Sequence, residues 1–293
     1  MGPLENILIT GASGYLGKNL VKFLLSANYK LILLVRENSN LTYLDSLPNT
    51  NKCKVYKIGS ADFETIFKEN QIDIIIHTAA NYGRKGESLS SVIEANLYFP
   101  IKLLDAALNH KVKYFINTDT SLPKELNTYS RSKKQFLEWL ETLSLEINII
   151  NIQLEYFYGP NDDKTKFITF LLDELKSKKN KIDFTDATSL RDFIYIDDVV
   201  SAYAAIINKI QEFKGFVNIP VGSGKAIMLK DIIKEVQSIT NNLDKQLNFG
   251  AIPMRPNEIM KSCADITLLM KLGWQPMFSF EQGIIKTIEL ETK

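Results

Sequence analysis

Cysteine and histidine are both scarce in this chain of 293 residues. Cys53 and Cys263 lie far apart without a Cys-x-x-Cys spacing, and His77 and His110 are the two histidines. A disulfide framework and a cysteine or histidine metal site are therefore not expected. Because free cysteines are typical of a reducing compartment, we expect a cytoplasmic protein without a bound metal.

An excess of charge of one sign is also missing, since 35 basic and 34 acidic residues give a formal net charge of +1. Such a balance creates no long-range field that would attract nucleic acid or an anionic membrane. No apolar run approaches the roughly 20 residues of a membrane helix, and no signal-like segment precedes the first apolar run. We expect neither nucleic acid nor a membrane as a partner.

What the sequence does contain, in its first half, is an alternation of apolar runs and helical patterns. The apolar runs predict strands at residues 6–10, 31–35, 54–58, 73–79, 114–117 and 148–154. Helical spacing between them predicts helices at residues 16–27, 61–70, 88–109 and 128–143. Runs that are apolar throughout suit parallel strands buried on both faces. We therefore predict an α/β fold with a Rossmann-type, doubly wound parallel sheet.

The pattern loosens after Gly159. Helices are predicted at residues 167–176, 198–209 and 229–240, with short strands at residues 182–185 and 193–196. We predict a dinucleotide-binding domain at residues 1–158 and a smaller substrate-binding lobe at residues 159–293. The chain is expected to cross back to the first domain around residues 191–221.

A glycine-rich turn at residues 10–17 follows the first strand and opens the first helix. Gly11 permits the tight turn, Gly14 lets the backbone approach a pyrophosphate, and Gly17 lets the helix pack closely on the strand. A diphosphate would bind the N–H groups at the helix N-terminus. The predicted cofactor-binding residues are Gly11, Ser13, Gly14, Tyr15, Leu16 and Gly17. The alternative is a glycine-rich turn without a ligand.

Arg36 stands at the end of the second strand, where an NAD enzyme usually has an acidic residue for the ribose 2′-hydroxyl. A guanidinium suits the 2′-phosphate of NADPH, so NADPH is the predicted cofactor. Glu37 lies one residue late for the ribose role, which leaves NAD possible. A solvated Arg36 that pairs with Glu37 is the alternative.

Tyr129 and Lys133 are four residues apart on a predicted helix and therefore lie on one face of it. A tyrosine near pKa 10 is a poor acid–base at neutral pH, and a neighbouring ammonium is expected to lower that pKa. Thr118, just past the fifth strand, could orient a substrate oxygen. The three residues are the predicted catalytic group.

Together with segments 118–120 and 191–199, these motifs resemble the extended short-chain dehydrogenase/reductases, also called the NAD-dependent epimerase/dehydratase family. The resemblance covers essentially the whole chain. Segments 117–123 and 154–160 are similar to the nucleotide-linked 4-keto-deoxysugar reductases of surface polysaccharide pathways, of the CDP-abequose and CDP-paratose synthase type.

The resemblance implies roles for further residues. Tyr129 would be the acid–base, Lys133 would also hold the nicotinamide ribose, and Ala79 and Ala80 would pass along the cofactor. Asn96 resembles an asparagine that braces the active site. Arg191 resembles an arginine that grips the sugar-nucleotide diphosphate, and Arg255 with Glu258 resembles a pair that holds phosphate and ribose. The implied substrate-binding residues are Tyr82, Asn96, Asp119, Thr120, Tyr156, Arg191, Arg255 and Glu258.

Three departures from the family pattern qualify these roles. The 4,6-dehydratases have Thr-Asp-Glu after the fifth strand, and the glutamate is their base. Here Thr120 stands in place of that glutamate and cannot act as the base, while Asp119 remains as a possible acid. Gln153 and Tyr156 stand where Arg and Asn are usual, which alters the sugar-diphosphate pocket. Asp62 replaces an adenine-binding aspartate that usually follows the glycine directly, and it could instead only start its helix.

Other residues have two interpretations. Tyr82, Arg84 and Lys85 follow the fourth strand and line either the sugar pocket or an ordinary mobile loop. His77, in an apolar strand, is predicted to be structural. Phe136 and Trp139 are expected to pack in the core.

The expected function is NADPH-dependent reduction of the 4-keto group of a nucleotide-linked deoxysugar. The alternatives are an NAD-dependent 4-epimerase and a non-catalytic dinucleotide-binding regulator. The family's habit of pairing two helices into a four-helix bundle implies a homodimer through residues 88–109 and 128–143. Leu137 and Leu140 are expected to be exposed on that face.

Overall fold

The computed structural model describes residues 6–59 and 62–292, so the segment before the first strand lies outside the described residues. The chain divides into two compact units. Unit 1 comprises Met1–Gln153 and Ile206–Ile219, and unit 2 comprises Leu154–Ala205 and Pro220–Lys293. The segment that returns to unit 1 falls within the region where the sequence predicts a crossing.

A seven-stranded sheet forms the centre of unit 1, with the order β10-β6-β5-β4-β1-β2-β3. The strands are β1 (Asn6–Thr10), β2 (Lys30–Val35), β3 (Cys53–Lys57), β4 (Ile74–His77), β5 (Tyr114–Thr120), β6 (Asn148–Leu154) and β10 (Phe216–Val221). Strand β1 pairs in parallel with β2 and β4, while β2 pairs with β3 and β4 with β5 in the same sense. This order confirms the predicted doubly wound Rossmann sheet.

Amphipathic helices cover this sheet because their apolar side chains recur at helical spacing. They are α1 (Tyr15–Ser26), α2 (Phe63–Glu69), α3 (Leu89–Ile93), α4 (Phe99–Asn109) and α5 (Thr128–Leu143). Helix α1 buries Leu20, Val21 and Leu24. Helix α5 begins with a capping box in which Asn127 and Ser130 bond each other's backbone N–H groups. The segment 206–219 adds a seventh strand, β10, that the sequence analysis missed.

The predicted helix at residues 88–109 is interrupted by a π-helical turn, Glu94–Tyr98, between α3 and α4. Asn96 lies in this turn. π-Helical turns are found frequently at functional sites, because the extra residue redirects a side chain. Strand β5 also runs further than predicted, so Thr118 lies inside the strand rather than past it.

The exposure of α5 corrects two expectations. Leu140 is fully buried in the core next to Phe136, so it is not available to a dimer face. Trp139, expected in the core, is 53% exposed. The reason is helical geometry: Phe136 and Leu140 are four residues apart and face the sheet, whereas Trp139 lies about 100° from Leu140 around the axis.

Unit 2 contains two smaller sheets with the orders β11-β9-β7 and β12-β8. The strands are β7 (Tyr156–Tyr158), β8 (Lys181–Asp183), β9 (Leu190–Tyr195), β11 (Ala226–Met228) and β12 (Gln246–Asn248). Helices of this part are α6 (Phe167–Lys176), α7 (Ile196–Asn208), α8 (Leu229–Ile239), α9 (Thr267–Lys271) and α10 (Phe280–Glu291). Rings of Tyr158, Phe193, Tyr195 and Phe280 pack together in its core. No helix in the described ranges is long and apolar enough to span a membrane.

Candidate active site

The glycine turn between β1 and α1 has a shape that requires glycine at two positions, Gly11 and Gly17. Gly11 has φ +71°, and a Cβ there would come within 2.6 Å of the Ala79 backbone nitrogen. A Cβ on Gly17 would clash with the carbonyl oxygen of Gly11. Gly14 is the N-cap of α1 and donates its N–H to that same oxygen at 2.8 Å. The backbone of α1 can therefore approach both β1 and a ligand closely.

The N-terminus of α1 is suited to an anion. Its N-cap has no side-chain hydrogen bond, and its first turn carries no acidic residue. The partial positive charge of the helix end is therefore not neutralised by a carboxylate of that turn. Ser13 donates to the Ser39 hydroxyl at 3.1 Å, and Tyr43 donates to the Ala12 carbonyl at 2.9 Å. These two contacts hold the glycine turn against the segment that follows β2.

Arg36 lies at the end of β2 and is exposed. Its expected competitor, Glu37, forms an ion pair with Lys57 at 2.8 Å rather than with Arg36. Within residues 6–59 and 62–292, no carboxylate pairs with the Arg36 guanidinium. The Arg36 carbonyl accepts the N–H of Ser39, whose hydroxyl contacts Ser13. Arg36 therefore emerges beside the glycine turn with its charge uncompensated.

Three further cofactor candidates differ in their surroundings. Ala79 is the second residue after the end of β4, borders Gly11, and donates its N–H to the Thr10 hydroxyl at 3.3 Å. Ala80 is the next residue and is exposed. Asp62 is the N-cap of α2 and accepts the Thr65 N–H at 2.7 Å, which lowers the pKa of its carboxyl. The helix-starting alternative for Asp62 is therefore the one that the structure supports, while Ser60 and Ala61 before it lie outside the described residues.

Lys133 is buried on α5, with 1% of its surface exposed. Burial lowers the pKa of its ammonium to about 8, the neighbouring Lys134 acts in the same direction, and Asp119 opposes both. His77 is buried nearby among aromatic rings and bonds the Thr10 hydroxyl through Nδ1 at 2.8 Å. Burial, and then the charge of Lys133, hold the pKa of His77 well below its usual value, as a structural histidine requires.

The pKa of Tyr129 shifts in the direction opposite to the one expected from the sequence. Burial raises the pKa of its phenol well above 10, and Tyr82 and Asp119 add to that rise. Arg84 is the group that acts in the opposite direction. The chain by itself therefore keeps Tyr129 protonated, because desolvation disfavours the phenolate more than Arg84 favours it. A protonated phenol is a proton donor.

Tyr82 lies directly against this phenol. The two ring centroids are 4.7 Å apart, and Tyr82 raises the pKa of Tyr129. The guanidinium of Arg84 lies over the Tyr82 ring, 5.2 Å from its centroid. Tyr82 therefore lies beside Tyr129, and that this loop lines the sugar pocket stays a prediction.

The end of β5 presents Thr118, Asp119 and Thr120. Thr118 is partly exposed, and Asp119 is buried with its carboxylate 2.5 Å from the Lys134 ammonium. Lys134 also donates to the Thr120 carbonyl at 2.7 Å. The Thr120 hydroxyl accepts the Leu122 N–H at 3.2 Å, so it serves the turn after the strand. Lys134 was missed because a second lysine after the Tyr-x-x-x-Lys motif gives no signal of its own.

Asn96 clamps the loop after β4 to α5. Its amide nitrogen donates to the Asn81 carbonyl at 2.8 Å and to the Ser132 hydroxyl at 3.0 Å. Its amide oxygen accepts the Asn81 N–H at 2.7 Å. Because the side chain is fully buried and both amide hydrogens are used, Asn96 has the bracing role rather than a direct substrate contact. The neighbouring Ser132 in turn donates to the Tyr129 carbonyl at 2.8 Å.

Unit 2 contributes a second group of candidates around Arg191. The guanidinium donates to the Glu258 carboxylate at 2.5 Å and to the Leu190 carbonyl at 2.9 Å, and it lies 5.5 Å from the Tyr156 ring centroid. The carboxylate of Glu258 forms an ion pair with Arg191, and Arg255 is exposed. Residues 255–258 form a turn in which the Glu258 N–H donates to the Arg255 carbonyl at 3.2 Å. That Arg255 and Glu258 hold phosphate and ribose stays a prediction.

Gln153, the other departure from the usual pocket, accepts a hydrogen bond from Asn218 at 3.4 Å. Both residues belong to unit 1.

Taken together, unit 1 holds a turn and helix end suited to a dinucleotide, an uncompensated arginine, and a protonated tyrosine beside a titratable lysine. Such an arrangement can bind a dinucleotide and donate one proton to a developing alkoxide. It has a carboxylate at position 119 but no carboxylate at position 120. Among the described residues, no cluster of three or more metal-ligating side chains is present.

Comparison with known proteins gives a consistent result. Residues 7–219 match the sequence profile described as the NAD dependent epimerase/dehydratase family. The chain is 33% identical to a CDP-abequose synthase of Salmonella typhimurium, with 96% of each chain covered. It is 34% identical to a CDP-abequose synthase of Salmonella muenchen, with 98% of each covered.

Solved structures share the fold. A UDP-glucose 4-epimerase of Thermotoga maritima, crystallised with UDP-glucose, superposes with a TM-score of 0.81 at 23% identity and 97% coverage of both chains. A UDP-glucose 4-epimerase of Thermus thermophilus in complex with NAD superposes with a TM-score of 0.79 at 20% identity, covering 98% of this chain and 99% of that one.

Proposed function

Because the chain belongs to the NAD-dependent epimerase/dehydratase family, we propose that it reduces the 4-keto group of a nucleotide-linked deoxysugar, using NADPH, in the biosynthesis of a surface polysaccharide. The full-length similarity to two CDP-abequose synthases supports the substrate class and makes CDP the first nucleotide to test. The enzyme is an NAD(P)-dependent oxidoreductase.

The full-length similarity to two CDP-abequose synthases carries the reductase assignment, and the buried phenol of Tyr129 fits it. Reduction of a ketone creates an alkoxide, which needs one proton and no base. Burial, Tyr82 and Asp119 keep the pKa of Tyr129 high, so the phenol holds its proton at neutral pH. The epimerase alternative first requires a base that removes a hydroxyl proton, and a phenol held in its protonated form suits that step less well.

The residues of unit 1 fit a nicotinamide dinucleotide. The glycine turn leaves the space that a Cβ would fill, and the end of α1 offers N–H groups and positive potential to a diphosphate. When bound, the reduced nicotinamide supplies the hydride. Lys133 would hold its ribose, and Arg36, which has no carboxylate partner in the described ranges, would bind a 2′-phosphate. That last feature favours NADPH over NAD.

In this assignment Tyr129 donates its proton to the forming alkoxide, and Thr118 orients the carbonyl oxygen by hydrogen bonding. Arg191, always charged, would bind the diphosphate of the sugar nucleotide, and Tyr156 with Glu258 holds its guanidinium in place. Thr120 has no accessible pKa near neutrality and its hydroxyl is engaged in a turn, so water elimination has no base at this position.

The test is to incubate the purified protein with NADPH and a panel of 4-keto-6-deoxy sugars linked to CDP, UDP, dTDP and GDP. Oxidation of NADPH at 340 nm, with a product two mass units heavier than the substrate, is expected for at least one member. The control reaction contains NDP-glucose and NAD⁺. Formation of a 4-keto-6-deoxy product there at an ordinary enzymatic rate would contradict the reductase assignment.

We further propose a homodimer through the face formed by α3, the π-helical turn, α4 and α5. Leu140 is buried, but these elements expose four other large apolar side chains, Leu89, Ile93, Tyr98 and Trp139. Four large apolar groups on neighbouring helices favour an interface. Light scattering at micromolar concentration should give twice the mass of the chain, and Trp139→Glu should reduce it to one. A monomeric wild type would contradict this proposal.

A further inference from the structure

We infer that Glu258 determines which anions can bind Arg191: its carboxylate holds the guanidinium until the diphosphate of a nucleotide sugar displaces it, so small inorganic anions bind there only weakly. This inference rests on the proposed function, in which Arg191 binds that diphosphate. An arginine whose charge is already balanced by a carboxylate can bind a second anion well only when that carboxylate moves away.

The ion pair occupies the cation in the ligand-free chain. The Arg191 side chain is enclosed, with 5% of its surface exposed, while that of Glu258 is 28% exposed. Nη2 of Arg191 donates to Oε1 of Glu258 at 2.5 Å, and Nη1 donates to the Leu190 carbonyl at 2.9 Å. A guanidinium has five N–H donors, so these two bonds leave donors for a ligand. A diphosphate bound beside the paired carboxylate would be repelled by it, because two anions would share one cation.

The carboxylate is part of a segment with few attachments. Residues 253–259 form neither helix nor strand, and backbone hydrogen bonds fix the chain on either side of them, at Ile252 and at Met260. Within the described ranges, the pair of Glu258 with Arg191 is the one hydrogen bond or ion pair that joins this segment to the rest of unit 2. Release of the carboxylate from the guanidinium therefore breaks no second polar contact.

A tight turn places a second cation near the carboxylate. Pro256 and Asn257 are the central residues of this turn, Asn257 has φ +62°, and the Glu258 N–H donates to the Arg255 carbonyl at 3.2 Å. Proline in the second position and a positive φ in the third are typical of a type II turn, whose first and fourth residues lie close together. Arg255 is exposed and, among the described residues, has no carboxylate partner. It offers the released carboxylate a new partner at the surface.

The displacement sets a threshold for binding. Every anion that binds Arg191 must replace the carboxylate, and this cost is the same for phosphate, pyrophosphate and a nucleotide sugar. Inorganic anions have only their charge to offset the cost, whereas a nucleotide sugar offers further contacts through its base, ribose and sugar. Glu258 thus favours the complete ligand over free phosphate and pyrophosphate.

The experiment measures the Kd of pyrophosphate by isothermal titration calorimetry. A saturating oxidised dinucleotide is present, so that the glycine turn of unit 1 is already filled. Glu258→Gln removes the charge and keeps the size of the side chain, and its Kd should be about tenfold or more below that of wild type, in line with the loss of a hydrogen bond between charged groups. Glu258→Asp keeps the charge and should bind pyrophosphate more weakly than Glu258→Gln does.

Two further variants show where the effect arises. Glu174→Gln removes a carboxylate that is ion-paired with Lys179 at 2.8 Å elsewhere in unit 2, so it changes the net charge equally and should leave the Kd at the wild-type value. In an Arg191→Gln background, Glu258→Gln should no longer tighten binding. A Kd for Glu258→Gln that equals or exceeds that of wild type, or a tightening that persists without Arg191, would overturn the inference.

The calorimetric test does not depend on turnover. If wild type reduces none of the sugars, the reductase assignment fails, and the pyrophosphate Kd values still decide the role of Glu258. If the sugars are reduced, pyrophosphate should inhibit Glu258→Gln at about a tenth or less of the concentration that wild type requires, in competition with the nucleotide sugar and not with the dinucleotide. Structural damage would instead weaken the binding of pyrophosphate and nucleotide sugar together, and equal inhibition of the two proteins would contradict the role of Glu258.

Discussion

Two buried cations, one in each unit, have opposite electrostatic surroundings. Lys133 in unit 1 is 1% exposed and burial lowers its pKa to about 8, with Lys134 adding to the effect. Arg191 in unit 2 has a carboxylate at 2.5 Å, a carbonyl at 2.9 Å and an aromatic ring beside it. The pKa of the lysine lies close to neutral pH, whereas the charge of the arginine is balanced by its neighbours and is always present.

The difference follows from what each cation has to do. A site that moves protons gains from an ammonium whose charge can be adjusted, whereas a clamp for a diphosphate gains from a fixed, planar donor. Asp119 illustrates this, because its carboxylate is bound by Lys134 rather than by Lys133. Asp119 raises the pKa of Lys133 and Lys134 lowers it, while burial remains the largest cause.

The largest effect is expected at the proton donor itself. Tyr129→Phe removes the phenol hydroxyl and should lower kcat by a factor on the order of 10²–10⁴, the range for general acid–base catalysis. Binding of the dinucleotide, measured by fluorescence titration, should be largely kept. Retention of more than about a tenth of the wild-type kcat would show that the proton comes from elsewhere.

Arg191 should affect substrate binding rather than chemistry. Arg191→Lys keeps the charge but loses the planar pair of donors, so KM for the nucleotide sugar should rise about tenfold or more, in line with the loss of a hydrogen bond to a charged group. KM for the dinucleotide should not change. Arg191→Lys with Glu258→Gln serves as the control for an unpaired carboxylate. An equal rise in both KM values would indicate general damage.

A smaller change is expected at Arg36, which lies at the surface. Arg36→Asp should reduce kcat/KM for NADPH by about tenfold and improve that for NADH, because a carboxylate repels a 2′-phosphate and binds a ribose hydroxyl. Lys57→Gln, which removes the partner of Glu37, is the matched control and should leave the preference for NADPH in place. A wild-type enzyme that uses NADH as well as NADPH would contradict this prediction.

Local and long-range features differed in how far the sequence could reveal them. The glycine turn, the Tyr129–Lys133 pair and most strands of unit 1 follow from residues close together in the chain. Asn96, Asn81 and Tyr82 form one structure across residues distant in sequence, and periodicity predicts a plain helix where the π-helical turn stands. The ion pair of Glu258 with Arg191, 67 residues away in the chain, gives no local signal in the sequence. Unit 2 was the least predictable part, since its short strands carry little periodic signal.

The pKa of Tyr129 likewise could not be predicted from the spacing of residues in the sequence. Spacing predicts an ammonium near the phenol, and from this the pKa was expected to fall, whereas Arg84 is the cation that lowers it. The sequence does not reveal how strongly the site is desolvated, and desolvation is the largest cause of the opposite shift.

The smallest effect, and the sharpest test of the contrast between the two cations, concerns Lys134. A buried ammonium with a pKa of about 8 is charged below that pH and neutral above it. If the charged form is needed, kcat/KM, which reports on the free enzyme, should be at its plateau below about pH 8 and decline as pH rises through it. Lys134→Gln removes the charge that lowers this pKa while Asp119, which raises it, remains. The decline should therefore move to higher pH, with little change in the plateau.

Lys134→Arg should restore the wild-type profile because it restores the charge, and Lys22→Met, an exposed lysine of α1, should not alter it. A buried carboxylate that loses its partner destabilises a protein, so circular dichroism must first show that the variant is folded at the assay temperature. A folded Lys134→Gln variant whose profile declines at the same pH as wild type, or at a lower pH, would show that the charge of Lys133 is not set by this pair.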